Sequence, residues 1–282
     1  EMRTAVAPVR PADRARAATR DGWWISLQHH APGPRGHGAP VVLCHGMGSN
    51  RFNLDGPGRT SLARDLSGRG YDVWVLELRG AGYSRRRLRF PPVPYRWTFE
   101  DYVQHDVPAA LSLVRQLTGA PQVLWVGHSL GGMVAYASLL TPFAEAFAGV
   151  VTLGSPGMTD VSHEAIDPWI RFRRLLRFAP AHVPTRLAAR LGAPFAGPIA
   201  RAFPTLVRDW LWHPDNFDAA TARFMMLRGV EDIPRSLLAE FARWYDTKRM
   251  SDRYRLYSFS DHLERVRTPI FVIAGSRDRL TP

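Results

Sequence analysis

Apolar residues along this 282-residue chain follow two patterns. Short continuous runs occur at 23–28, 41–44, 72–76, 123–126, 149–153 and 269–274. Such runs suit strands buried on both faces of a parallel sheet. Between them lie stretches with helical spacing. Residues 60–69 end at Gly70, 101–117 are closed by Gly119, and 131–140 carry the small residues Gly131, Gly132 and Ala135 on their early turns. Strand and helix alternating through short turns predicts an α/β fold, a mostly parallel sheet with helices on both faces.

The alternation stops after Gly154-Ser155-Pro156-Gly157 and resumes with the run 269–274. The intervening stretch has helical spacing, many aromatics and arginines, and interrupting prolines. Residues 159–258 are therefore expected to form a helical cap over the C-terminal edge of the sheet, where open α/β sheets bind ligands. Residues 21–158 and 259–282 form the core, and residues 1–20 a flexible N-terminal tail.

Composition narrows the class. Hydrophobic residues make up 45% of the chain and charged residues 22%, which argues for a folded core against disorder. The formal charge is +12, carried almost wholly by arginine, since Lys248 is the single lysine. The arginines are scattered and no nucleic-acid module accompanies them, so nucleic acid is not an expected partner. One cysteine, Cys44, lies in an apolar run and allows no intramolecular disulfide. Neither a transmembrane run nor a secretory signal is visible, and a cytoplasmic location is the expectation.

The candidate chemistry sits at the strand ends. A serine hydroxyl is a weak nucleophile at neutral pH. It needs an adjacent base and donors for the oxyanion that forms. Gly127-His128-Ser129-Leu130-Gly131 lies between the run 123–126 and a helical stretch. That is the setting of a strained turn that exposes its serine, so Ser129 is the candidate nucleophile. His45-Gly46-Met47-Gly48 follows the run 41–44. The backbone N–H groups of Met47 and Leu130 are assigned to an oxyanion hole. His45 is read as shaping that loop in preference to acting as base. His128 is read as structural, because adjacent residues on a tight turn point apart.

Gly275-Ser276-Arg277-Asp278 follows the run 269–274. Asp278 is the candidate acid that would orient a catalytic histidine. Arg277 and Arg279 beside it favour the ionised carboxylate. Asp160, after the preceding run, is the reserve acid. In the order serine, acid, histidine, the base follows Asp278, yet only Arg279-Leu280-Thr281-Pro282 remain. The expectation is that a last strand, the histidine and a final helix lie beyond the sequence given. His262, on a charged stretch, is the weaker internal alternative.

Together these motifs resemble the α/β-hydrolase superfamily, over residues 21–157 and 269–282. The closer similarity is to acid-lipase-like and related bacterial lipases and esterases. It is carried by Asp21-Gly22-Trp23, His45-Gly46-Met47-Gly48-Ser49-Asn50, Gly70-Tyr71-Asp72-Val73-Trp74, Arg79-Gly80-Ala81-Gly82-Tyr83-Ser84 and Asp101-Tyr102 with Asp106-Val107-Pro108. Polyhydroxyalkanoate synthases are also similar but use cysteine where this chain has Ser129. Haloalkane dehalogenases and epoxide hydrolases need a carboxylate there.

The resemblance implies carboxylic ester hydrolysis through an acyl-enzyme, without metal or organic cofactor. Acyl transfer to another acceptor, C–C or amide cleavage, and a non-catalytic ligand-binding relative remain open, because fold alone does not separate them. In the cap, Trp169, Phe172, Leu176 and Phe178 fall near one helical face among Arg171, Arg173, Arg174 and Arg177. Trp169 and Phe172 are candidate substrate-binding residues. The basic amphipathic stretch suits either a lid that contacts a lipid surface or an ordinary cap helix with its arginines in solvent.

Overall fold

All four residues of β3 (Val41–Cys44) are buried, as are all five of β4 (Val73–Glu77). Successive strand side chains point to opposite faces. Val42, Cys44, Trp74 and Leu76 accordingly join one apolar cluster, and Val41, Leu43, Val73 and Val75 join the other. A sheet covered on both sides follows. The computed structural model describes residues 14–157 apart from 35, 37, 38 and 89, residue 178, residues 180–196, and residues 218–278 apart from 277.

The remaining strands are β1 (Arg14–Ala18), β2 (Trp23–His30), β5 (Arg85–Arg86), β6 (Val123–His128), β7 (Phe147–Leu153), β8 (His182–Val183), β9 (Ile233–Pro234) and β10 (Ile270–Ile273). The eight-stranded main sheet runs β1-β2-β4-β3-β6-β7-β10, with β5 against β2. β4, β3, β6, β7 and β10 pair in parallel. β1 and β4 both pair antiparallel to β2. The sheet is thus mixed, and parallel across the strands that carry the candidate chemistry.

The helices are α1 (Leu62–Gly68), α2 (Phe99–Asp101), α3 (Val107–Thr118), α4 (Leu130–Ser138), α5 (Thr185–Gly192), α6 (Ala219–Phe224) and α7 (Arg235–Thr247). A π-helical turn, Tyr102–Asp106, joins α2 to α3. Pro108 near the start of α3 lacks an N–H and crowds the preceding turn, and the wider turn accommodates it. None of the helices among the described residues is long and apolar enough to cross a membrane.

Two expectations change. The flexible tail placed over residues 1–20 includes β1, an edge strand antiparallel to β2. Its alternation Arg14-Ala15-Arg16-Ala17 is a period-2 pattern with small apolar members, and Ala17 is buried. Within residues 159–258, expected to be helical, the described part also holds a two-stranded antiparallel sheet in which β8 pairs with β9, distant in sequence. Part of the same stretch packs into the core. Leu237 and Trp244 of α7 join the main apolar cluster, where the Trp244 ring meets Phe99 edge-on at 5.0 Å.

Candidate active site

Ser129 caps the N-terminus of α4 with φ 49° and ψ −115°. That is a strained backbone for a residue with a side chain, and it holds only where the surroundings enforce it. Here close packing does so. A Cβ on Gly127 would lie 2.4 Å from the carbonyl of Gly131, and one on Gly131 would lie 2.4 Å from the carbonyl oxygen of Cys44. The first turn of α4 therefore presses directly on the ends of β3 and β6. The Ser129 N–H donates to the Leu153 carbonyl of β7 at 2.9 Å, which ties the turn to the next strand.

The loop after β3 reaches the same place. A Cβ on Gly46 would lie 3.3 Å from Ser129 Cβ. Gly46 thus brings the backbone at Met47 alongside the first turn of α4. Among the described residues, neither the Met47 nor the Leu130 N–H is engaged in a hydrogen bond. Free amides, Leu130 at the head of α4 and Met47 in the loop after β3, are donors for a developing negative charge.

His45 cannot serve as base, because both ring nitrogens are occupied. Its Nδ1–H donates to the Gly46 carbonyl at 2.8 Å, and its Nε2 accepts the Leu78 N–H at 3.1 Å. Burial pushes its pKa down to about 4, so the ring is neutral and holds the loop. His128 Nδ1 lies 2.8 Å from Asn53 Oδ1. His262 Nδ1 lies 2.7 Å from the Ser258 carbonyl, and its ring stacks on Tyr257. None of the described side chains hydrogen-bonds the Ser129 hydroxyl.

Asp278 follows β10, and its N–H donates to the Gly275 carbonyl at 3.0 Å. Its charge reaches His128, whose pKa is lowered by burial and partly restored by Asp278. The strand that Asp278 follows pairs at Ile273 with Leu153, whose carbonyl accepts the Ser129 N–H. Asp160, Trp169 and Phe172 lie outside the described residues.

Several contributors carry no motif of their own. Asn53 Oδ1 also accepts the Gly46 N–H at 3.0 Å. Residues 229–231 hydrogen-bond to the loop after β3. Ser49 Oγ donates to the Gly229 carbonyl at 3.0 Å, Asn50 Nδ2 donates to Glu231 Oε1 at 2.7 Å, and the Glu231 N–H donates to the Gly48 carbonyl at 2.8 Å. Asp21, Asp101 and His105 bring ligand-type atoms within 4.8 Å of one another. Arg79 and Arg253 already pair with the two acids, which makes the group an ion-pair network.

The family model described as alpha/beta hydrolase fold matches residues 39–282. Lipase member K of Homo sapiens is 31% identical over 140 residues, covering 46% of this chain and 35% of that protein. Triacylglycerol lipase 2 of Arabidopsis thaliana is 31% identical over 131 residues, covering 43% and 31%. The aligned part thus spans about a third of these relatives' length. Among solved structures, a thermophilic esterase from Thermogutta terrifontis superposes with a TM-score of 0.56 at 20% identity, covering 95% of this chain and 82% of that one. The esterase RhEst1 from Rhodococcus sp. ECU1013 gives 0.54 at 20%, covering 95% and 82%. At that identity the likeness is one of fold.

Proposed function

The chain belongs to the α/β-hydrolase fold family, and on that premise we propose that it is a serine hydrolase that cleaves carboxylic esters with an apolar acyl group. One observation carries the reading. Ser129 is held at φ 49° on a turn whose glycines let it pack against the loop bearing Met47. Relatives named as lipases support the ester class.

Ser129 Oγ attacks the ester carbonyl carbon and passes its proton to a histidine base oriented by Asp278. The carbonyl oxygen, now an anion, accepts from the Met47 and Leu130 N–H groups. Collapse of the tetrahedral intermediate expels the alcohol, which takes the proton from the imidazolium. Water then attacks the acyl-enzyme by the same route and releases the carboxylic acid. Trp169 and Phe172 are proposed to contact the acyl chain, and the arginine-rich stretch around them a lipid surface.

The test uses the full-length protein with a fluorophosphonate probe and p-nitrophenyl esters of increasing chain length. Labelling and turnover should both vanish in Ser129→Ala. Labelling that persists in Ser129→Ala moves the nucleophile elsewhere. Wild-type protein that neither labels nor turns over ester favours the non-catalytic ligand-binding reading. Product formed on an added alcohol in preference to water favours acyl transfer.

A further inference from the structure

A single amide oxygen joins the two halves of this site. Asn53 ends the short 3₁₀ turn Arg51–Asn53, which is capped by Asn50 through its side-chain oxygen and the Phe52 N–H. From there Asn53 Oδ1 accepts the Gly46 N–H at 3.0 Å and meets His128 Nδ1 at 2.8 Å. Gly46 belongs to the loop that carries Met47. His128 precedes Ser129. A Cβ on Gly46 would lie 3.0 Å from His128 Nδ1, so loop and elbow are already in near contact and Asn53 closes the triangle.

The chemistry of the amide makes the arrangement directional. A backbone N–H can only donate, so the Gly46 N–H requires oxygen at that end of the Asn53 side chain. The same oxygen can only accept, so His128 must carry its proton on Nδ1. Asn53 thereby fixes the His128 tautomer as well as the spacing between loop and elbow.

We propose that Asn53 is a positioning residue that sets the separation between the Met47 and Leu130 N–H groups by bonding Gly46 and His128 through one oxygen. The proposal rests on the assignment of Ser129 and its oxyanion donors. It adds a residue that touches neither substrate nor reacting atoms. Donors aimed at a transition-state oxygen lose effectiveness steeply when displaced, and a misplacement of about 1 Å can cost on the order of 10²-fold.

The experiment compares Asn53→Leu and Asn53→Asp in the full-length protein. Leucine has similar bulk without an acceptor, whereas aspartate keeps the acceptor. In Asn53→Leu, kcat and the phosphonylation rate of Ser129 should fall on the order of 10²-fold while KM stays within a few-fold. Asn53→Asp should restore kcat to within a few-fold of wild type. Nitrogen-15 shifts of His128 in the wild type should report the Nδ1–H tautomer, and Asn53→Leu should abolish that preference. A wild-type His128 protonated on Nε2 overturns the proposal without any variant. So does a folded Asn53→Leu with unchanged kcat, or an Asn53→Asp as impaired as the leucine variant. Labelling that survives Ser129→Ala overturns the nucleophile assignment instead, and the tautomer measurement still tests the Asn53 bonds separately.

Discussion

Arg79 and Asp106 form a buried ion pair locked by three hydrogen bonds. The Arg79 N–H donates to Oδ2 at 2.8 Å, Nε donates to Oδ1 at 2.8 Å and Nη2 to Oδ1 at 2.7 Å. The two side chains are 1% and 0% exposed. Arg79 also holds Asp21 at 2.6 Å, so the pair ties the loop after β4 to the turn before β2 and to the start of α3. Removing one partner leaves the other charged in the core. Asp106→Leu should therefore lose about 3–5 kcal/mol in urea unfolding, and the double variant Arg79→Met/Asp106→Leu should lose less than Asp106→Leu alone. A cost below about 1 kcal/mol for Asp106→Leu would show that Asp21 alone satisfies Arg79.

Two buried groups give stability opposite pH slopes. Glu240 Oε2 accepts the Phe99 N–H at 2.8 Å, while Oε1 is buried without a partner among the described residues. Burial pushes its pKa from 4.5 up to about 7. The unfolded chain therefore loses this proton first, and stability falls as pH rises from about 4.5 to 7. His45 behaves the other way. Its folded pKa of about 4 lies below the ordinary 6.5 of a histidine, so stability falls as pH drops from about 6.5 to 4. Each effect reaches roughly 3 kcal/mol at most, and they oppose one another where the windows overlap. Glu240→Gln keeps the acceptor for Phe99 and removes the titration. It should raise stability at pH 7 and expose the histidine slope in thermal melts between pH 4.5 and 6.5. A pH profile unchanged by Glu240→Gln would show that Glu240 is already ionised near its ordinary pKa.

The sequence made the central strands readable because Val41–Cys44 and its neighbours are apolar on both faces, a pattern that survives without context. Ser129 was readable because its turn needs glycine on both sides. β1 was not, because an Arg-Ala alternation at a sheet edge carries little apolar signal. The burial of α7 in the core was hidden because an amphipathic helix shows how much it buries, not against what. Asn53 and Glu231 escaped for a similar reason. Both act through hydrogen bonds to groups distant in sequence, Asn53 to His128 and Glu231 to Asn50, and no local spacing encodes such pairs.

The packing of α4 gives a direct test of the turn. A Cβ on Gly131 would sit 2.4 Å from the Cys44 carbonyl oxygen and 2.9 Å from that of His45. Both are backbone atoms at the end of β3 and have little room to yield. Gly131→Ala should separate the elbow from the oxyanion loop. The expected result is loss of fluorophosphonate labelling together with a lower melting temperature. Wild-type labelling and melting in Gly131→Ala would mean that the loop after β3 moves freely and does not define the site.

Asp278 is expected to act by orientation, without taking up a proton. It follows β10, which pairs in parallel with β7 so that Ile273 lies beside Leu153. Leu153 in turn accepts the Ser129 N–H. Two consecutive backbone links thus join the end of β10, which Asp278 follows, to the Ser129 turn. A carboxylate there can accept from one nitrogen of a catalytic histidine and leave the other nitrogen facing Ser129. It also stabilises the imidazolium that forms during attack. Asparagine preserves the size of the side chain but can hold the ring in the wrong tautomer. Asp278→Asn should therefore fold normally by circular dichroism and keep its KM while kcat falls on the order of 10⁴-fold, by analogy with serine proteases. Asp160→Asn, measured beside it in the full-length protein, should be mild. The reverse outcome, an active Asp278→Asn and a crippled Asp160→Asn, would place the acid after β7 instead of after β10.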